Sequence, residues 1–81
     1  MNIFNSIEDE ILYYLNYALQ IKNGIVTENE DSEKYYKKIN ALKYRQAFGT
    51  AIVENTIKDY LTKQNCSIDL VDSVIAVIRK A

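Results

Sequence analysis

DSEKYYKKINALKYRQAFGTAIVENTIKDYLTKQ, residues 31–64, decides the fold, because the only helix breaker in it is a single glycine, Gly49. Set on a wheel at about 100° per residue, Tyr35, Ile39, Leu42, Val53, Ile57 and Tyr60 fall in one narrow stripe. Only Gln46 and Gly49 interrupt it, at its midpoint. A glycine inside a helix costs roughly 1 kcal/mol against alanine without forbidding the helix. The opposite side of the wheel carries a shorter apolar set, Ala41, Tyr44, Phe48 and Ile52, at spacings of three and four. A helix with apolar residues on two sides needs cover on two sides.

Length sharpens the choice. An unbroken helix of thirty-odd residues is about 50 Å long, whereas a compact chain of this size has a radius of gyration near 12 Å. Two architectures satisfy the pattern. One is an all-α, three-helix protein whose long central helix, about 31–64, is flanked by two shorter helices and covered by a second copy or a partner. The other is a four-helix bundle with a break near Gly49. The unbroken form is preferred, because a break has no evident reason to preserve the phase of the stripe. It carries two mutational expectations: Gly49→Ala leaves the fold intact, and Phe48→Glu yields a folded protein that is monomeric or has lost its partner.

Working outward, Ser6 is a suitable N-cap for a first helix over residues 6–23, with Ile3 as its earliest start. Glu8, Asp9 and Glu10 stand where the helix dipole favours negative charge. Ile7, Ile11, Leu15 and Ala18 form its apolar stripe, and Asn23 with Gly24 is read as its C-terminal cap. Beyond the long segment, Asn65, Cys66 and Ser67 break the pattern. Ser67 caps a last helix whose apolar face is Ile68, Val71, Val74, Ile75 and Ile78.

Composition agrees with a helical chain: 81 residues hold no Pro and two Gly, and fit one domain over 1–81. There is no His, and one Cys excludes an internal disulfide. No residue set matches a catalytic, metal or cofactor pattern, so the chain reads as a non-enzyme without cofactors. No apolar run is long enough for a membrane span or signal segment, which makes a cytoplasmic protein without membrane contact the expectation.

Charge is near balance as a whole but uneven along the chain. Residues 1–33 carry seven acids and one base, net −6, and residues 34–81 carry nine bases and four acids, net +5. The acidic first helix is therefore expected beside the basic start of the second. The stretch Lys34–Arg45 interleaves Lys34, Lys38 and Arg45 with tyrosines, a composition suited to nucleic acid. The many acids just upstream put that reading second. Seven tyrosines in the chain point instead to protein contact, since tyrosine joins apolar area to a polar tip. The expected interface is Ala41, Tyr44, Phe48 and Ile52 with Tyr13 and Tyr17. The expected function is a small regulatory or inhibitory binding protein that contacts another protein or itself as a homodimer. A nucleic-acid-associated regulator and a structural assembly subunit are the alternatives.

Overall fold

The computed structural model describes residues 4–81, which build four helices and one two-stranded hairpin. In chain order these are α1 (Ile7–Ala18), β1 (Leu19–Lys22), β2 (Ile25–Glu28), α2 (Ser32–Leu42), α3 (Gly49–Lys63) and α4 (Ile68–Lys80). The chain is mostly helical, but two sequence expectations need correction. The long central helix is two helices, so the bundle with a break near Gly49 describes the helix count. A small antiparallel sheet, expected in neither architecture, joins α1 to α2.

The first helix starts as its sequence dictates. Ser6 sits in extended backbone and its hydroxyl accepts from the Asp9 amide at 3.1 Å, with Glu8, Asp9 and Glu10 in the first turn. Its end differs from expectation: helix stops at Ala18, and Leu19–Lys22 pair with Ile25–Glu28 in the register Leu19↔Glu28 to Lys22↔Ile25. Asn23 and Gly24, at φ 55° and 76°, both occupy the left-handed region, which defines a two-residue hairpin turn rather than a helix cap. The expected start at Ile3 lies outside the described residues. Asn29 and Ser32 then do what a cap would have done. The Asn29 side-chain amide donates to the Tyr17 carbonyl, and the Ser32 hydroxyl donates to the Ala18 carbonyl. The end of α1 and the start of α2 are thus tied across the hairpin.

Between Leu42 and Gly49 the chain reverses. Gly49 lies so close to the preceding turn that a Cβ on it would stand 2.0 Å from the Lys43 carbonyl oxygen, inside any van der Waals contact. Phe48, the residue before it, takes φ 60°. Arg45 reaches across to α1 and pairs with Glu10, whose side chain is only 7% exposed, and the Tyr14 hydroxyl donates to the other carboxylate oxygen at 2.9 Å. The turn is therefore fixed at both its backbone and its side chains. The chain packs to a radius of gyration of 11.8 Å and extents of 32 × 24 × 24 Å, which a 50 Å helix would exceed.

The stripe survives the break because each of the two helices buries its own share of it. Ile39 and Leu42 on α2, and Val53, Ile57 and Leu61 on α3, join Ile11, Leu15 and Ala18 of α1 and Val71, Val74, Ile75 and Ile78 of α4 in one core. Residues 43–48 between them are not helical, so the shared phase on the wheel does not require one helix.

The last helices are closed as residues 65–67 indicate. Asn65 is left-handed at φ 63°, its amide donates to the Thr62 carbonyl at 3.0 Å, and the Cys66 amide donates to the Leu61 carbonyl at 3.1 Å. This is a Schellman closure with Asn in the position that glycine usually fills. Ser67 accepts from the Leu70 amide and caps α4. Arg79 on α4 grips Glu54 on α3 through two bonds of 2.8 Å. That grip holds the Glu54 carboxyl below the usual carboxylate range.

Two predictions follow from these contacts. Gly49→Ala, which the unbroken-helix reading would tolerate, is expected to destabilise the fold by about 3 kcal/mol or more, since a backbone carbonyl cannot rotate away as an overpacked side chain does. Urea denaturation measures it, and a stability within about 0.5 kcal/mol of wild type would refute the reversal at Lys43. For Glu54, the folded pKa is depressed, so its contribution is complete above the unfolded value of about 4.3 and is lost as pH falls through the lower folded one. Arg79 is largely exposed, which limits the effect to about 1 kcal/mol. Denaturation between pH 7 and pH 2 should therefore show a shallower acid loss in Glu54→Gln than in wild type.

Candidate functional site

The residues singled out by sequence separate into two surfaces. The first is the turn between α2 and α3. Lys43 and Gly49 touch through their backbones, and Tyr44 and Phe48 are the next residues inward from that contact, so both rings leave the same turn. Tyr44 is 78% exposed and Phe48 85% exposed. The Lys43 ammonium lies 5.2 Å from the centre of the Tyr44 ring, leaving a positive group beside that ring. Ala41 is exposed at the end of α2. Ile52 departs from the expected set: it is partly buried and packs against the core, because the chain reversal turns the first turn of α3 inward. The expected strip of four along one helix is thus divided: Tyr44 and Phe48 are exposed on the turn, Ala41 is exposed at the end of α2, and Ile52 is drawn toward the core.

Phe48 is unusual for a second reason. An L-residue in the left-handed region is strained by about 1–2 kcal/mol, and glycine or asparagine occupies it at lower cost. Here a large apolar side chain takes that conformation while burying little of itself. Strain without a packing return, at an exposed aromatic, points to a use outside the fold.

The second surface runs along α1 and α2. Tyr13 and Tyr17, half-exposed, have ring centres 4.8 Å apart, and Tyr17 is 5.4 Å from Tyr35. Phe4 meets the edge of Tyr13 at 5.0 Å, and Tyr14 lies 6.0 Å from Tyr35. Lys34 and Lys38 lie over Tyr35 and Tyr14, 5.6 and 5.7 Å from the ring centres. The sequence placed Tyr13, Tyr17, Lys34 and Lys38 in separate roles, whereas the fold gathers them into one strip. A hydrogen bond with Tyr17 is the main cause that raises the Tyr13 phenol above its usual pKa, and burial followed by the bond to Glu10 raises that of Tyr14. Arg45 does not join the strip as a nucleic-acid contact; it is committed to Glu10.

Sequence reasoning passed over Tyr36. Tyr35 lies on the wheel stripe, yet it is Tyr36 that is buried, at 2% exposure, under the hairpin and against α4. The signal that could have found it is the Asn23-Gly24 pair between the alternating run Leu19–Lys22 and the β-branched run Ile25–Thr27, which makes a hairpin and so a new surface for α2 to pack beneath. Among the described residues no group of three or more His, Cys, Asp or Glu side chains could hold a metal ion. Nor is any helix there long and apolar enough to cross a membrane. Compared with protein-family models, curated proteins and solved structures, the chain matches none.

The strain at Phe48 is open to measurement. Phe48→Gly is expected to raise stability by about 0.5–1 kcal/mol, because the left-handed backbone is relieved and an 85% exposed ring gives up little packing. Urea denaturation checks it; a loss above about 1 kcal/mol would mean that the ring supports the fold.

Proposed function

We propose that the protein is a small non-enzymatic helical binding protein, regulatory or inhibitory in action, that docks Tyr44 and Phe48 into an apolar recess of another protein. The observation that carries this reading is the combination at Phe48 of large exposure with a strained backbone. Exposed aromatics presented on a rigid turn are suited to act as anchors in an interface, where a few such residues supply most of the binding free energy. Both rings project from a turn fixed by Gly49 and by the Arg45–Glu10 pair, so little order is lost when they are captured. Lys43 beside them favours a recess with an acidic rim.

Self-association is a narrower proposal than it was from sequence. It rested on the second apolar face Ala41, Tyr44, Phe48 and Ile52 of a helix too long for a monomer, and the break at residues 43–48 divides that face and supplies a compact alternative. A projecting pair also fits a hollow better than it fits its own two-fold copy. Nucleic-acid binding is the second reading, favoured by the ring strip of Tyr13, Tyr17 and Tyr35 with Lys34 and Lys38 above it.

One comparison separates the three. Immobilised wild type and Phe48→Ser are exposed to native-host extract, with helicity and melting temperature recorded for both, and light scattering is run on each. A protein held by wild type and lost by a fully folded Phe48→Ser supports the proposal. Equal retention by both refutes it, a dimer abolished by Phe48→Ser restores self-association, and retained nucleic acid that falls steeply with salt in both favours the ring strip.

A further inference from the structure

The tip of the hairpin differs in its chemistry from every other asparagine-bearing point of the described chain. Asn23 is exposed and is followed by Gly24, so the backbone nitrogen next to its side-chain amide has no neighbouring side chain to shield it. Both residues lie in the left-handed region. The strand ladder ends at the pair Lys22↔Ile25, and the Gly24 amide stands outside it.

The other described asparagines are held or shielded. Asn16, Asn40 and Asn55 lie inside α1, α2 and α3, where the following amide belongs to the helical hydrogen-bond ladder. Asn29 gives its side-chain amide to the Tyr17 carbonyl, and its side-chain oxygen accepts from the Asp31 amide. Asn65 precedes Cys66, whose amide donates to the Leu61 carbonyl at 3.1 Å. Asn5 precedes Ser6, which carries a side chain beside the corresponding nitrogen. Asn23 alone among them combines exposure, an unladdered following amide and a glycine.

We propose that Asn23 is a site of spontaneous covalent modification, deamidated through Gly24, and that its main product loosens the hairpin. The Gly24 nitrogen, giving up its proton to hydroxide, attacks the Asn23 Cγ. The N–Cγ bond forms, the Cγ–Nδ2 bond breaks, and ammonia leaves with a proton from water, which restores the hydroxide. The five-membered succinimide so formed is opened by water at either of its two carbonyls. One opening yields aspartate; the other yields isoaspartate, in which the main chain runs through Cβ and Cγ. Water is the sole co-reactant, and nothing is oxidised or reduced. Ring closure requires Asn23 to leave the left-handed well, and a two-stranded hairpin of four residues a side opens readily at its tip.

The consequence lies in the length of the turn. Isoaspartate places one more carbon in the main chain between residues 23 and 24, whereas the left-handed pair matches the strand twist only as a two-residue loop. Gly24 has little room to shift toward the α3–α4 turn, because a Cβ on it would stand 3.0 Å from the Asn65 carbonyl oxygen. The site shares no residue with the Tyr44–Phe48 surface and does not depend on the function proposed for it.

The test is ageing of the folded full chain at physiological temperature, at pH 6 and at pH 8, followed by intact mass and peptide mapping. A mass gain equal to the exchange of NH2 for OH is expected, several-fold faster at pH 8, located by fragmentation at Asn23, with isoaspartate exceeding aspartate. Asn23→Asp carries the new charge without the added carbon, in a residue that the left-handed region accepts. The purified isoaspartate form should melt below it. Should Asn23→Asp fail to fold, melting of the isoaspartate form below the unaged wild type decides the effect on the hairpin. No mass gain over weeks at pH 8, a gain that appears first at another asparagine, aspartate without isoaspartate, or an isoaspartate form as stable as its comparison protein would each overturn the proposal.

Discussion

The carbonyl of Lys43 stands where Gly49 would carry its side chain, and the arrangement of the bundle depends on that contact. No other residue type allows the backbone to come so near. With it, α3 folds back and offers Val53, Ile57 and Leu61 to the same core that α2 meets through Ile39 and Leu42. Without it, the apolar positions of residues 31–64 would run on as one rod, which helices the size of α1 and α4 could not enclose. A backbone contact of this kind has no direct trace in side-chain patterning, so the sequence marks the place of the turn by Gly49 without declaring its geometry.

The reversal is reinforced from a distance. Arg45 and Tyr14 converge on Glu10, a carboxylate that would be costly to bury alone. Because Arg45 belongs to the turn and Glu10 to α1, the pair fixes how the turn sits on the first helix and so the direction in which Tyr44 and Phe48 leave it. Structural and functional readings of the basic stretch thus part company residue by residue. Arg45 serves the fold, Lys43 flanks the exposed pair, and Lys34 and Lys38 cover rings of the tyrosine strip.

What was legible in the sequence was local chemistry. Ser6 and Ser67 cap the helices they were expected to cap, and the break at residues 65–67 is where pattern and polarity place it. Asn23-Gly24 was misread because the same two residues suit a helix end and a hairpin turn; the alternation of Leu19–Lys22 is only four residues long, and Ile25–Glu28 does not alternate at all. That error carried further. With no hairpin there is no reason to bury Tyr36. The constancy of the stripe was a poor guide for a different reason: it counts 100° per residue through residues 43–48, which are not helical, so the match of phase across them carries no information on continuity. The exposure of Tyr44 and Phe48 was anticipated, but its cause was not, since both lie on a bend rather than along a rod.

The aromatic strip gives this protein its own optical reporter. The chain has no tryptophan, so its absorption and dichroism between 270 and 290 nm, and its intrinsic emission, come from tyrosine. Of the seven tyrosines, Tyr13, Tyr14, Tyr17 and Tyr35 lie ring to ring across the α1–α2 contact. Coupling among neighbouring rings adds to the near-ultraviolet dichroism a contribution that depends on that contact, whereas the peptide bands at shorter wavelength register every helix alike. The near-ultraviolet region therefore carries a signal from the α1–α2 contact that the peptide region, which reports all four helices together, does not separate.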